Sequence, residues 1–156
     1  MFKFKEIGMY KNAVNIPYCK VPATITAGVK NGYIVTFSET DKTIALPTSI
    51  TAKAAGLTVV MNRYDKPELE KPNDYVVKVG EFPRLFTLKS IAGRVVQMDM
   101  DAITTARASI AVGAKLVADT DGKLVEAADI TGYSEYFEVT ALDPLGVDGV
   151  EAVVHA

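Results

Sequence analysis

The chain has 156 residues and a formal charge of −2, with its 17 lysines and arginines scattered among 19 acidic residues. That length makes one ordinary domain, or two very small ones, able to bury about 70% of the surface its unfolded form exposes. Unclustered, near-neutral charge disfavours a nucleic-acid surface, which needs a basic stripe that releases counterions. The lone Cys19 excludes an internal disulfide.

Valine, isoleucine and threonine are abundant, tryptophan is absent, and glycine or proline punctuates nearly every apolar run. This pattern predicts a mainly β fold. The expected architecture is a compact β-sandwich or β-barrel of short antiparallel strands, with an extended N-terminal arm and at most one or two short helices. The expected division is an arm at residues 1–22 and a single β-rich domain at 23–156, with residues 63–74 as the first place to subdivide it.

Residues 1–22 lack a helical period and contain Pro17 and Pro22. They carry Phe2, Phe4, Ile7, Met9, Tyr10 and Tyr18 among polar neighbours. Such an arm either folds back as an edge strand or lies across a neighbouring subunit. The first is favoured, because exposed aromatics without a partner are costly. Phe2, Phe4, Met9, Tyr10 and Tyr18 are the candidate contact residues. No apolar stretch precedes a small-residue cleavage site, and no apolar run approaches about 18 residues. The expectation is a chain made in the cytoplasm that does not span a membrane.

A first hairpin is expected between residues 32 and 46, with Val35 opposite Ile44 and Thr36 opposite Thr43; Pro47 then ends the return strand. Thr48 or Ser49 caps a brief helix that reaches Ala55 and closes at Gly56. Residues 57–62 form a buried strand, and the polar, proline-interrupted residues 63–74 an exposed loop. Residues 75–79 and 84–88 form strands around a turn at 80–83. Residues 91–100 continue the β pattern, with Val95, Gln97 and Asp99 on one side and Val96, Met98 and Met100 on the other.

Residues 102–109 are the other place for a short helix. A second hairpin turns at Asp119-Thr-Asp-Gly122, with Ala118 facing Lys123, Val117 facing Leu124, Leu116 facing Val125 and Lys115 facing Glu126. The two hairpins share a frame of glycine, strand, polar turn, lysine and apolar return. Their low identity favours two unrelated hairpins over a duplicated unit. Strands at 133–142 and near 150–154, separated by a turn at 143–146, bring the count to nine or ten.

Chemistry is sparse. The one histidine, His155, sits beside the C-terminal residue. Chain ends are usually mobile, and nucleophilic catalysis needs a fixed base. Cys19 reads as a small apolar residue rather than a reactive thiol. One cysteine and one histidine do not make a zinc site. The 119–122 turn superficially resembles a calcium loop, but Leu124 and Ile130 occupy the positions that require glycine and glutamate. Asp99 and Asp101 would share a strand face, as a carboxylate pair requires, yet alternation on a solvated strand explains them equally well. No glycine-rich phosphate loop precedes a helix. The expectation is a protein that is not an enzyme and has no catalytic, cofactor or metal site.

Three segments resemble small β-rich virion proteins of tailed bacteriophages, and capsid decoration or cement proteins in particular. They are Ile25-Thr-Ala-Gly-Val-Lys-Asn-Gly-Tyr-Ile-Val-Thr-Phe37, Ala45-Leu-Pro-Thr48 and Val112-Gly-Ala-Lys-Leu-Val-Ala-Asp-Thr-Asp-Gly-Lys-Leu-Val125. Tyr136-Phe-Glu-Val-Thr-Ala-Leu142 followed by Gly149-Val-Glu-Ala-Val-Val154 adds to the likeness, which is one of style and covers about half the residues. It implies a non-enzymatic structural protein on the capsid surface of a virion. Such a protein binds the major capsid protein in many copies or as a homo-oligomer, and stabilises the head against internal DNA pressure. The alternatives are another virion component, such as a tail-tube or head-completion protein, and a β-type ligand-binding module that uses tyrosines such as Tyr64 and Tyr133.

Overall fold

The computed structural model describes residues 2–5, 13–62, 75–144 and 148–156. The strands in chain order are β1 (Phe2–Phe4), β2 (Asn15–Ile16), β3 (Val29–Lys30), β4 (Ile34–Ser38), β5 (Thr43–Ala45), β6 (Thr58–Val60) and β7 (Val76–Val77). They continue as β8 (Leu85–Thr87), β9 (Val95–Asp99), β10 (Lys115–Ala118), β11 (Leu124–Glu126), β12 (Tyr136–Leu142) and β13 (Gly149–His155). The fold is mainly β, built of short antiparallel strands. Its helical content among the described residues is three single 3-10 turns, at Leu88–Ile91, Met100–Ala102 and Arg107–Ser109.

The strands form a six-stranded sheet in the order β1-β9-β13-β12-β10-β11, a five-stranded sheet in the order β2-β8-β6-β4-β5, and a β3-β7 pair. Consecutive apolar residues on the five-stranded sheet explain how these layers stack. Ile34, Val59 and Phe86 face a core shared with Val96, Met98, Leu116, Phe137, Val139 and Val154 of the six-stranded sheet. Their neighbours Val35, Val60 and Leu85 face a second core with Ile16, Val21, Val29 and Val77. Side chains alternate along a strand, so a strand buried on both faces needs apolar residues at every position. The five-stranded sheet is therefore the middle layer. Each fully buried valine, leucine or phenylalanine there contributes about 1.5–3 kcal/mol of transfer free energy.

The N-terminal segment adds strands at two sheet edges. β1 pairs with β9, Phe2 opposite Met98, and the Phe2 ring is buried in the first core. β2 pairs with β8, Ile16 opposite Leu85.

Other edges are covered by the chain itself, which removes strands open to foreign pairing. Along β5, the Lys20 N–H donates to Lys42 O at 2.9 Å and the Ile44 N–H to Lys20 O at 3.1 Å. Along β11, the Thr104 N–H donates to Leu124 O at 2.7 Å, and the Glu126 N–H to Thr105 Oγ1 at 2.8 Å.

Both hairpin registers differ from expectation. In the first, Thr36 opposes Ala45, Phe37 opposes Ile44 and Ser38 opposes Thr43. Ser38 extends the strand, and Lys42 takes a left-handed φ of 54° inside the turn. In the second, Leu116 opposes Glu126, Val117 opposes Val125 and Ala118 opposes Leu124. There the Gly122 N–H donates to Asp119 O at 3.1 Å and the Asp119 N–H to Lys123 O at 2.8 Å. With Gly122 at φ +84°, this is a three-residue loop whose left-handed glycine adds a bulge and displaces the register by one. The two hairpins close differently.

The expected helix before Gly56 is instead a run of turns. Thr48 and Thr51 satisfy each other: the Thr48 N–H donates to Thr51 Oγ1 at 2.7 Å and the Thr51 N–H to Thr48 Oγ1 at 3.1 Å. This is the reciprocal logic of a capping box, closed by Gly56 at φ +100° before a helix can extend. Residues 102–109 likewise form no continuous helix. The strand expected over 91–100 begins only at Val95, after the 3-10 turn at Leu88–Ile91 buries Leu88 and Ile91. From there the expected faces hold, with Val96 and Met98 buried and Val95, Gln97 and Asp99 half-buried. The 63–74 loop lies outside the described residues.

Candidate functional site

A cleft of about 410 Å³ opens where the 24–30 segment meets the tip of the second hairpin, with Tyr33 and Leu46 also lining it. One wall is made of tight turns, in which the Ile25 N–H donates to Pro22 O at 3.1 Å and the Gly28 N–H to Ile25 O at 2.9 Å. Gly28 is required there: its φ is +70°, and a Cβ would stand 2.4 Å from Val77 O. The facing wall is Asp121, brought over the middle sheet because the Ile34 N–H donates to Gly122 O at 2.6 Å.

The charges at this cleft are distinct. The Asp121 carboxylate is oriented by its own turn, with Oδ1 accepting the Lys123 N–H at 2.8 Å. Lys30 also lines the cleft, and its ammonium makes no ion pair among the described residues. Burial pushes the Tyr33 phenol above its ordinary pKa, and the nearby Asp121 and Asp101 carboxylates push it further. It therefore stays a protonated donor at neutral pH. A cleft lined by Ile25, Ala27 and Leu46 together with Tyr33, Lys30 and Asp121 combines apolar surface with a few polar groups, the chemistry of a small binding site.

The second polar constellation lies on the six-stranded sheet. His155 does not occupy a loose chain end. It is part of β13, opposite Tyr136, with the two rings stacked at 4.5 Å. Its Nε2 lies 3.3 Å from Glu138 Oε2, which Lys115 Nζ also approaches at 2.5 Å. The ordering comes from position, since β13 sits between β9 and β12 inside the sheet. Cys19, the chain's one thiol, is buried in the other core.

Asp99 and Asp101 do not share a strand face. Asp99 ends β9 and is half-buried, whereas Asp101 lies in the 3-10 turn that follows and is exposed. Among the described residues, no three His, Cys, Asp or Glu side chains come together as metal ligands. The 119–122 turn uses its carboxylates on its own backbone, Asp119 Oδ1 accepting the Thr120 N–H at 2.7 Å.

The candidate contact residues separate. The Phe2 ring is buried in the first core, and Phe4 lies on β1 opposite Val96. Met9 and Tyr10 lie outside the described residues. Tyr18 is at the surface, 39% exposed, with Lys42 over its ring at 4.5 Å. Of the tyrosines considered for ligand binding, Tyr64 is outside the described residues and Tyr133 packs at the first core with Lys53 over its ring.

Tyr18 belongs to a larger feature that the sequence reading missed. Residues 14–21 run beside 80–87 through the β2–β8 pairing, with the Thr87 N–H donating to Val14 O, the Val21 N–H to Glu81 O and the Gly80 N–H to Val21 O. This ribbon and its turn carry four of the six exposed large apolar side chains among the described residues: Val14 at 55%, Tyr18 at 39%, Val79 at 44% and Phe82 at 60%. Phe82, set between a glycine and a proline in a short turn, was the available signal, because such a turn has no interior in which to bury a phenyl ring.

No protein-family model matches this chain, and no curated protein matches it.

Proposed function

We propose that this chain is a non-enzymatic virion structural protein that binds the outer surface of a phage capsid and stabilises the head. The observation that carries the reading is the apolar ribbon of Val14, Tyr18, Val79 and Phe82. Large apolar side chains left exposed along one ribbon offer surface for a protein contact. Self-covered edges at β5 and β11 also suit a protein that stays a discrete soluble species until it meets its lattice. The segmental likeness to decoration proteins supplies the partner, the major capsid protein. Many weak apolar contacts repeated over a shell give strong overall attachment when copies are tied to several sites.

Adding purified protein to heads that lack it, followed by co-sedimentation, tests this. The variants Phe82→Asp and Val79→Asp place charge on the ribbon without touching either core, and head binding should fall at least about tenfold for each, a loss of about 1.4 kcal/mol. Unchanged co-sedimentation of both would remove the ribbon from the contact. A β-type ligand-binding module is the second reading, and the cleft at Tyr33 is the observation that favours it.

A further inference from the structure

The cleft between the 24–30 segment and the tip of the second hairpin has a chemistry that the capsid reading does not use. We propose that it binds a small zwitterion with an apolar body, of the α-amino-acid class, with Lys30 facing the ligand carboxylate, Asp121 its ammonium, and Ile25, Leu46 and the Tyr33 ring its side chain. The inference goes beyond the virion reading and does not depend on it.

Three observations favour this class. Size comes first: about 410 Å³ is at the lower end of small-molecule sites, room for a compact ligand but not for a large cofactor. Charge comes next. A simple anion would be drawn to Lys30 but repelled by Asp121, and a simple cation the reverse; a ligand carrying both charges satisfies each. A neutral sugar would leave both formal charges without an opposite partner. The third is preorganisation. Asp121 is held by the Lys123 N–H, and the hairpin tip by the bond from the Ile34 N–H to Gly122 O. On the Asp121 side, little ordering is left for the ligand to impose.

The test is an amide NMR titration of the full chain with L-leucine, with 4-methylpentanoate, 3-methylbutylamine and glucose titrated separately. Saturable shifts are expected with leucine at a dissociation constant of about 1 mM, confined to the 24–30 segment, Tyr33 and the 121–122 tip, since affinity per atom limits a ligand of this size. 4-Methylpentanoate and 3-methylbutylamine should bind at least about tenfold more weakly, and Lys30→Gln and Asp121→Asn should each weaken leucine by about tenfold or more. The variants' own spectra report their folding, and Asp121→Asn keeps an acceptor for the Lys123 N–H. Absence of saturable shifts with leucine, equal binding by either half-molecule or by glucose, or leucine binding unaffected by both substitutions would overturn the proposal.

Discussion

The carboxylate of Glu135 closes onto the backbone of Leu57: its Oε2 accepts the Leu57 N–H at 2.7 Å, while Oε1 accepts the Gly56 N–H at 3.1 Å. Glu135 is buried, and the adjoining Ser134 N–H donates to Lys53 O at 3.0 Å. The segment leading into β12 thus fastens the 48–57 turns, adding to the threonine pair, their own backbone hydrogen bonds and the burial of Ala52 and Leu57. Removing this acceptor leaves the buried Leu57 N–H and the partly buried Gly56 N–H without a protein partner. Glu135→Ala should cost about 2–3 kcal/mol and lower Tm by roughly 5–10 °C, with Glu135→Gln between it and the parent because one oxygen remains. Calorimetry checks this; a Tm within a degree of the parent for the alanine variant would show that the clamp contributes nothing.

Gly122 and Gly113 both have φ near +90°, yet they should respond differently to alanine. A Cβ at Gly122 would meet Leu46 Cδ2 at 3.0 Å, Ile34 O at 3.2 Å and Tyr33 Cδ2 at 3.3 Å, whereas at Gly113 nothing lies within 4 Å. Gly113→Ala bears only backbone strain, about 1 kcal/mol, while Gly122→Ala adds displacement of the hairpin tip and should cost about 2–3 kcal/mol. Urea midpoints of the two variants compare them directly. Equal losses would mean that the tip does not depend on its close approach to β4.

Several surface carboxylates set the acid limit. Glu138 is held below the usual range by the Lys115 hydrogen bond, with further help from the Lys115 and His155 charges, and Asp143 by its hydrogen bond from Arg107. Burial pushes Glu151 up, but hydrogen bonds from Lys5 and Gln97 more than offset it, and its net shift is downward. A lowered folded pKa means that the unfolded chain binds more protons. The associated stability is present at neutral pH and is lost as pH falls through about 4.5 and below. The urea midpoint should therefore drop between pH 7 and pH 3.5, and less steeply in Glu138→Gln. A midpoint that does not change over that interval would contradict the assignment. Glu138 and Asp143 are the more solvated of the three, so added salt should shrink their share of the effect, and that of Glu151, whose side chain is 12% exposed, less.

Cys19 is fully buried, and desolvation raises its pKa ahead of the opposing Lys42 charge. A buried, protonated thiol is a poor nucleophile. Native protein should react with a thiol reagent at least about a hundredfold more slowly than urea-unfolded protein, at a rate governed by opening of the second core. Native labelling as fast as unfolded labelling would contradict the burial.

Local alternation was legible in the sequence wherever one face of a strand is buried, as in Val95 to Met98. The middle sheet was partly legible: residues 57–62 read as a buried strand because Leu57, Val59, Val60 and Met61 are apolar, and the one polar residue of β6, Thr58, is buried with its hydroxyl donating to Val35 O. Hairpin registers were not, because Lys42 and Gly122 take left-handed conformations inside their turns, and one added residue shifts every pair. His155 was misjudged because distance from the chain end says nothing about which strand lies beside it. The cleft was invisible for a related reason. It exists because Gly122 approaches Ile34 from a distant part of the chain, and no local pattern encodes that contact. Phe82 was legible in principle, as a phenyl ring in a turn without an interior.

Attachment of this protein to a phage head can be read out by quantifying its peptides by mass spectrometry across a density gradient of lysate from the source culture. Hundreds of copies per particle are expected in the band of DNA-filled heads. Recovery of the protein only in the soluble fraction at the top of the gradient would contradict it and leave the ligand-binding module as the better reading.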